Sequence, residues 1–306
     1  MDHPRLGRYP AARHVIAHLS DTHLLEGGAR LGGRADTVTQ LERASEQIAR
    51  MAGGLDAILV SGDIADLGED DAYRRVRAAL DPVAAATGAR LIWVMGNHDE
   101  RAPFRRVLLD DDSGDESPVN QVIDIDGLRI VAVDSSVPGY HHGILEAETL
   151  DWLDAVLAEP APNGTIVALH HAPIATPLAL MDVLELRRQD EFAEVLRDRD
   201  VRAILGGHLH YPTQGTFAGI PVSVAGSLAY TMDLSAPARH LVGIDGGRSF
   251  SLVHCFDDAV VTSVVPVGTF GEITSFGEQF LAEVEALDEE GRLDRFSRKR
   301  EWVTDG

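Results

Sequence analysis

Asp21 and His23 sit two residues apart in "HLSDTHLL", so on an extended chain they point the same way. Four more short patches carry the same kind of side chain. "SGDIAD" holds Asp63 and Asp66, and "MGNHD" holds Asn97, His98 and Asp99. "LHHAP" holds His170 and His171, and "GGHLH" holds His208 and His210. Every potential donor here is an oxygen or an imidazole nitrogen. Cys255 is the only cysteine, so neither an internal disulfide nor a cysteine-based zinc site can form. An oxygen and imidazole set suits Mn, Fe, Co or Zn. It is too large for one tetrahedral ion and suits two metals sharing a carboxylate. Two divalent ions, set against Asp21, Asp63 and a bridging hydroxide, leave a net charge of about +1, which attracts an anion such as a phosphate.

Each patch closes an apolar, β-rich run: "HVIAHLS" (14–20), "DAILVSG" (56–62), "RLIWVMG" (90–96), "GTIVALH" (164–170) and "RAILGGH" (202–208). "LRIVAVDS" (128–135) is a further run of this kind. Helical spacing fills most of the gaps, over 37–51, 70–86, 147–158 and 190–198. Alternating strands and helices predict an α/β fold, whose ligands bind at the C-terminal ends of the strands. Gly62, Gly96 and Gly207 suit tight turns leaving those strands. Beyond about residue 211, "IPVSVAGS", "SFSLVHCF" and "AVVTSVVPV" follow with little helix between them, which predicts a second, more antiparallel sheet. The acidic "DDDSGDESP" (110–118) is expected to be a solvated loop. His14, His18 and His254 lie in strand patterns and are expected to be structural, with Cys255 a small core residue.

The chain has 306 residues, 44% of them hydrophobic, enough for a sizeable core. Its net charge of −22 disfavours long nucleic acid, whose binding depends on Lys and Arg neutralising phosphates. A small anionic substrate stays open, because a local site can be positive on an acidic protein. No run approaches the length of a membrane span, and Arg5, Arg8 and Arg13 are followed by no apolar stretch. A soluble, cytoplasmic protein is expected.

Taken in order, "DTH", "GDIAD", "GNHD", a later His and "GHLH" resemble the calcineurin-like metallophosphoesterase superfamily. "HLSDTH", "VMGNHD", "VDSSVPG", "LHHAPI" and "GHLHYPT" resemble more particularly its class III cyclic nucleotide phosphodiesterases of actinobacterial type. The resemblance covers roughly residues 14–266. That leaves an N-terminal arm (1–13) and a C-terminal extension (267–306) outside the metallophosphoesterase domain. It implies a four-layer αββα sandwich, two mixed sheets flanked by helices. It implies one metal on Asp21, His23, Asp63 and His210, and another on Asp63, Asn97, His170 and His208. The ions would be Fe and/or Mn, with Zn or Co as alternatives. The first histidine of the "HH" pair is the ligand in that family, so His170 rather than His171 is carried over.

The resemblance also implies His98 as the acid for the leaving oxygen, or a stabiliser of transition-state charge, with Asn97, His98 and His210 touching substrate. Asp66 and Asp99 are candidates to orient imidazoles, and equally to be helix N-caps. The implied reaction is hydrolysis of a cyclic nucleotide by a hydroxide bridging the metals, performed by a homodimer. Other small phosphodiesters or monoesters, such as glycerophosphodiesters, are the alternative, and a non-catalytic scaffold on the same fold a further one. His141 and His142 read as a solvated loop, with an edge of the substrate site as the alternative. Tyr140 stands where close relatives of this type tend to carry histidine, and "SVAGSLAYTMD" (223–233) is a segment that could line the pocket. In the extension, "FGEQFLAEVEALDEEGRLDRF" predicts an acidic amphipathic helix with Phe276, Phe280, Val284 and Leu287 on one face, packed on the body or a partner chain.

Overall fold

Short runs of Val, Ile, Leu and Ala form parallel strands here because βα connections bury them on both faces. The computed structural model describes residues 6–51 and 53–299. Its first stretch alternates β1 (His14–Leu19), α1 (Thr37–Ala49), β2 (Ala57–Ser61), α2 (Asp70–Thr87), β3 (Arg90–Val94) and α3 (Arg101–Leu108). Asp36 caps α1 by accepting from the Thr39 N–H, and Gly88, at φ 78°, ends α2. Next come β4 (Gln121–Ile125), β5 (Leu128–Val133), β6 (Gly143–Ile144), α4 (Ala147–Leu157), β7 (Thr165–His171), α5 (Ala179–Val183) and β8 (Leu186–Arg187). Then follow α6 (Gln189–Leu196), β9 (Val201–Gly207), β10 (Thr213–Phe217), β11 (Ile220–Val224), β12 (Thr231–Met232), β13 (Gly243–Ile244), β14 (Ser249–Cys255) and β15 (Val260–Pro266).

Two mixed sheets result, ordered β15-β14-β1-β2-β3 and β10-β11-β9-β7-β5-β4. Alternate residues divide their apolar surface among three cores. Ile16, Leu59 and Ile92 of the first sheet meet Ile130, Ile166 and Leu205 of the second in the middle layer. Ala17, Val60 and Trp93 face the other way, onto Leu41 and Ile48 of α1 and Val76 of α2. Val131, Val167 and Ile204 do the same against Leu153 of α4 and Phe192 of α6. The period-2 strand pattern thus produces helix, sheet, sheet, helix.

Of the described strands after residue 211, the two-residue β12 and β13 pair with each other, and the longer ones join the two main sheets instead of building a third. The β10–β11 hairpin joins the second sheet through parallel pairing of β11 with β9, and β14–β15 joins the first through antiparallel pairing of β14 with β1. Hydrophobic alternation shows that a strand has an inner face but not which distant edge it pairs with.

Backbone contacts divide the chain into two compact units: residues 12–268, and a second made from the two ends, described over 6–11 and 269–299. In the second, α7 spans Glu278–Glu285, α8 spans Glu289–Arg292, and a π-helical turn covers Leu293–Ser297. Only Phe280 and Val284 of the expected stripe lie in α7. Phe276 precedes it, and Leu287 falls in the break where Asp288 caps α8 by accepting from the Gly291 N–H. The Phe280 ring lies 4.6 Å from that of Phe276 and 5.2 Å from that of Phe296. No described helix is long and apolar enough to cross a membrane.

Candidate metal centre

The polar patches all emerge at the C-terminal ends of β1, β2, β3, β7 and β9, three strands from one sheet and two from the other. The backbone there is unusual. Asp21 (φ 53°), His23 (φ 44°), Asp63 (φ 49°), His208 (φ 72°) and His210 (φ 57°) all occupy the left-handed region. Non-glycine residues seldom do so, and such a concentration persists only where surrounding bonds over-determine it. Asp21 N donates to Gly62 O (3.0 Å), His23 N to Asp63 O (2.9 Å) and Thr22 Oγ1 to Ile64 O (2.7 Å). Gly62 (φ 94°) is a turn glycine, and a Cβ on it would come within 2.5 Å of His170 Nδ1. Gly96 and Gly207 have ordinary φ and serve close approach instead: a Cβ on Gly96 would collide with the Asp63 backbone, and one on Gly207 with Ser20.

Side chains from these tips converge. Single donor atoms of Asp21, His23, Asp63 and His210 lie within 4.8 Å of one another, as do those of Asp63, His170 and His208, so Asp63 belongs to both groups. Each imidazole spends one nitrogen on the protein. His23 Nδ1 donates to Asp66 Oδ1 (2.9 Å), His170 Nδ1 to Ser61 O (2.7 Å), His210 Nδ1 to Tyr230 O (3.2 Å) and His208 Nε2 to Leu184 O (3.1 Å). The other nitrogen of each faces inward with its lone pair. His23 Nε2 and His210 Nε2 then face each other at 3.0 Å, a repulsive contact between two lone pairs unless a cation lies between them. Among the described residues, His170 Nε2 is 3.2 Å from Asp63 Oδ2 yet makes no hydrogen bond, and the buried Asn97 Oδ1 has no partner either. Orphaned buried donor and acceptor atoms are costly unless something else satisfies them. These residues fit a pair of metal ions.

The electrostatics agree. Burial by itself would raise the pKa of Asp63, but His170, His23 and His98 outweigh it and hold the carboxyl well below its usual range. Burial likewise works against a charged His170, and Asp63 with Asp21 overcomes it, lifting the imidazole to about 9. His208 is pushed down to about 3, mainly by burial and then by His170. A cation here would meet two buried carboxylates, Asp21 and Asp63, and would take over the neutralising part that the imidazoles now play.

The remaining predicted residues fall as follows. Asp66 is bonded to His23, and the N-cap position of α2 falls at Glu69, whose side chain makes no capping bond, and not at Asp66. Among the described residues Asp99 bonds no imidazole and caps no helix, contrary to both expectations. It accepts from Ile64 N (3.2 Å), Ala65 N (3.0 Å), Gly96 N (2.9 Å) and Tyr73 OH (3.0 Å), tying the β2 and β3 loops together. Burial, reinforced by Asp63, raises its carboxyl to about 6. His98 N donates to Asp63 Oδ1 (2.9 Å) and its Nδ1 to Asp66 O (2.9 Å), which leaves Nε2 uncommitted on a half-buried ring. His171 packs its ring 4.5 Å from that of His208 but spends both nitrogens elsewhere, accepting from Ser135 Oγ (2.8 Å) and donating to His141 O (3.1 Å).

His141 is exposed but is not a bystander in a solvated loop. It accepts from Asn97 Nδ2 (2.9 Å), and its ring lies 4.9 Å from that of His98. Tyr230 supplies the contact from "SVAGSLAYTMD" (223–233), a segment expected to line the pocket but without a metal-binding pattern to say through which residue; its ring lies 4.3 Å from that of His210. His18 stays in the core, bonded to Ser61 Oγ (2.8 Å), and Cys255 is fully buried. Two cavities open on the centre, of about 270 Å³ and about 540 Å³, and His23, His98 and Tyr230 line both.

Residues 14–212 match the family model described as calcineurin-like phosphoesterase. The chain is 48% identical over 277 residues to a cAMP/cGMP dual specificity phosphodiesterase of Mycobacterium tuberculosis, covering 90% of this chain and 87% of that one. It is 32% identical over 258 residues to a 3′,5′-cyclic adenosine monophosphate phosphodiesterase of Pseudomonas aeruginosa, covering 80% and 91%. The fold is shared with a dimetal phosphatase from Danio rerio, at a TM-score of 0.59 and 16% identity over 84% of this chain and 97% of that one. The family match and the extent of these likenesses place the chain in the calcineurin-like phosphoesterase family.

Proposed function

We propose that the chain hydrolyses cyclic nucleotides, opening the cyclic phosphodiester to a nucleoside monophosphate. The observation that carries this reading is Asp63, shared by two clusters of inward-facing donors. Asp21, His23, Asp63 and His210 would hold one ion, and Asp63, Asn97, His170 and His208 the other. Manganese or iron is the expected pair, given the absence of thiolate. Bound there, the ions would neutralise phosphoryl oxygens and supply an activated water.

The protein's own groups do the rest. Asp66 fixes the His23 ring so that Nε2 faces inward. Asp99 clamps the loops that carry Asp63 and Asn97. His98, anchored through Nδ1 to Asp66 O, presents Nε2 to the cavity, where it donates a proton to the departing ribose oxygen. Asn97, through its amide, and His210 border the phosphate position. The reading also carries the homodimer that the resemblance implies and the cytoplasmic setting expected from the sequence, which size-exclusion chromatography and cell fractionation test.

The direct test incubates purified protein with Mn²⁺ and, separately, cAMP, cGMP, a glycerophosphodiester and bis(4-nitrophenyl) phosphate, with and without EDTA. Cyclic nucleotide hydrolysis that EDTA abolishes and Mn²⁺ restores is expected. Chelator-insensitive turnover, or none at all, contradicts the metal reading. Turnover of the glycerophosphodiester alone contradicts the substrate.

A further inference from the structure

The larger cavity at the centre has a character unlike that of the smaller. The smaller holds Asp63, Asn97, His208 and His210 beside the shared His23, His98 and Tyr230. The larger, about 540 Å³, runs from the same shared residues to the β1–α1 loop, with Leu31, Arg34 and Ala35, and to Ile244 and Asp245 at β13. A phosphate seated among the metal-binding residues therefore has room beside it for a second group. Leu31, Ala35, Ile244 and the Tyr230 ring offer apolar surface suited to a flat aromatic group. Arg34 and Asp245 supply charge in the same cavity.

The two arginines here differ. Arg248 is buried and engaged, its Nε donating to Ala229 O (2.9 Å) and its Nη2 to Asp245 Oδ1 (2.5 Å). The Arg34 guanidinium is exposed and makes no hydrogen bond or ion pair among the described residues. Only its backbone is used, the carbonyl accepting from Arg30 (3.1 Å) and the N–H donating to Leu31 O (3.1 Å). It projects from a tight turn through Gly32 (φ 57°) and Gly33 (φ 69°). In a chain of net charge −22, a guanidinium with no carboxylate partner beside an anion-binding centre is available to a ligand.

We propose that this cavity is the nucleobase subsite and that Arg34 reads the acceptor edge of a purine, favouring guanine over adenine. The inference rests on the cyclic nucleotide reading above. An arginine fork matches the paired acceptors O6 and N7 of guanine, whereas adenine offers it N7 alone, beside an amine donor. Asp245 can accept from the adenine amine, so both bases bind, and Arg34 contributes more to guanine. Arg34 is a specificity residue in this account, acting on the base and not on phosphorus.

The test uses full-length, Mn²⁺-loaded protein, Arg34→Ala and Arg34→Lys. GMP and AMP affinities are measured by calorimetry and by inhibition of bis(4-nitrophenyl) phosphate hydrolysis. Arg34→Ala should weaken GMP by about tenfold or more and AMP by less than about threefold. Arg34→Lys, which keeps the charge but loses the fork, should recover only part of the GMP loss. Equal losses for the two nucleotides, no loss for either, or full rescue by lysine overturns the assignment. If wild-type protein cleaves cyclic nucleotides and Arg34→Ala shifts neither affinity, only the subsite fails. If wild-type protein cleaves bis(4-nitrophenyl) phosphate but neither cleaves nor binds any nucleotide, the substrate reading fails, and the subsite with it.

Discussion

Around Asp21, His23 and His210 all three donors are buried, and each imidazole is backed by a bond to Asp66 or to the Tyr230 carbonyl. Around Asn97, His170 and His208 the arrangement is looser: Asn97 is half-buried and shares its amide with the exposed His141. Charge differs too. Two carboxylates, Asp21 and Asp63, serve the first half, while the second has only the shared Asp63 and a neutral amide. Attraction for a divalent ion grows with the number of nearby carboxylates, so the first half should hold its ion more tightly. Both halves border the smaller cavity, the first through His23 and His210 and the second through Asn97 and His208, so it is the half-buried Asn97 that makes the second the half suited to exchange.

The largest effect should come from breaking what the halves share. Asp63→Ala should lower turnover by at least about 10³-fold, the scale of losing a main electrostatic stabiliser, and reduce bound Mn²⁺ below two per chain by elemental analysis. Next comes the proton donor. His98→Ala should slow cyclic nucleotide hydrolysis by about 10²-fold and bis(4-nitrophenyl) phosphate hydrolysis much less, because nitrophenolate leaves without protonation. Equal losses on the two substrates would remove His98 from that role.

The asymmetry itself is sharpened by single ligands. Asn97→Ala should retain one ion through dialysis while raising the Mn²⁺ needed for half-maximal rate by about 10–100-fold. Asp21→Ala should lose the retained ion instead, and matching titrations for the two variants would mean that the halves are equivalent. The smallest expected change is that of His141→Ala, which frees the Asn97 amide and should shift the Mn²⁺ midpoint by about threefold.

Much of this centre could be read from the chain because metal chemistry selects residue types, and each strand carries its donors to its own tip. Asp21, His23, Asp63, Asn97, His170, His208 and His210 were visible in that way, though spread over nearly two hundred positions. What escaped depends on distant partners. Asp66 could equally have been a cap until His23 was seen opposite it, and Asp99 gains its role from backbone N–H groups of another loop. His141 reaches the site only by meeting Asn97 across the fold. The sheet membership of β11 and β14 rests on pairing with β9 and β1, which no local pattern encodes. Leu287 was placed on a helix that Asp288 interrupts, a local signal that was legible but outweighed by the apolar spacing.

The central claim is that Asp63 stands between two cations. Crystals grown with Mn²⁺ and measured at the manganese absorption edge test it directly. Two anomalous peaks are predicted, both within coordination distance of Asp63, one beside Asp21, His23 and His210 and the other beside Asn97, His170 and His208. A single peak, or two peaks of which one does not touch Asp63, would contradict it.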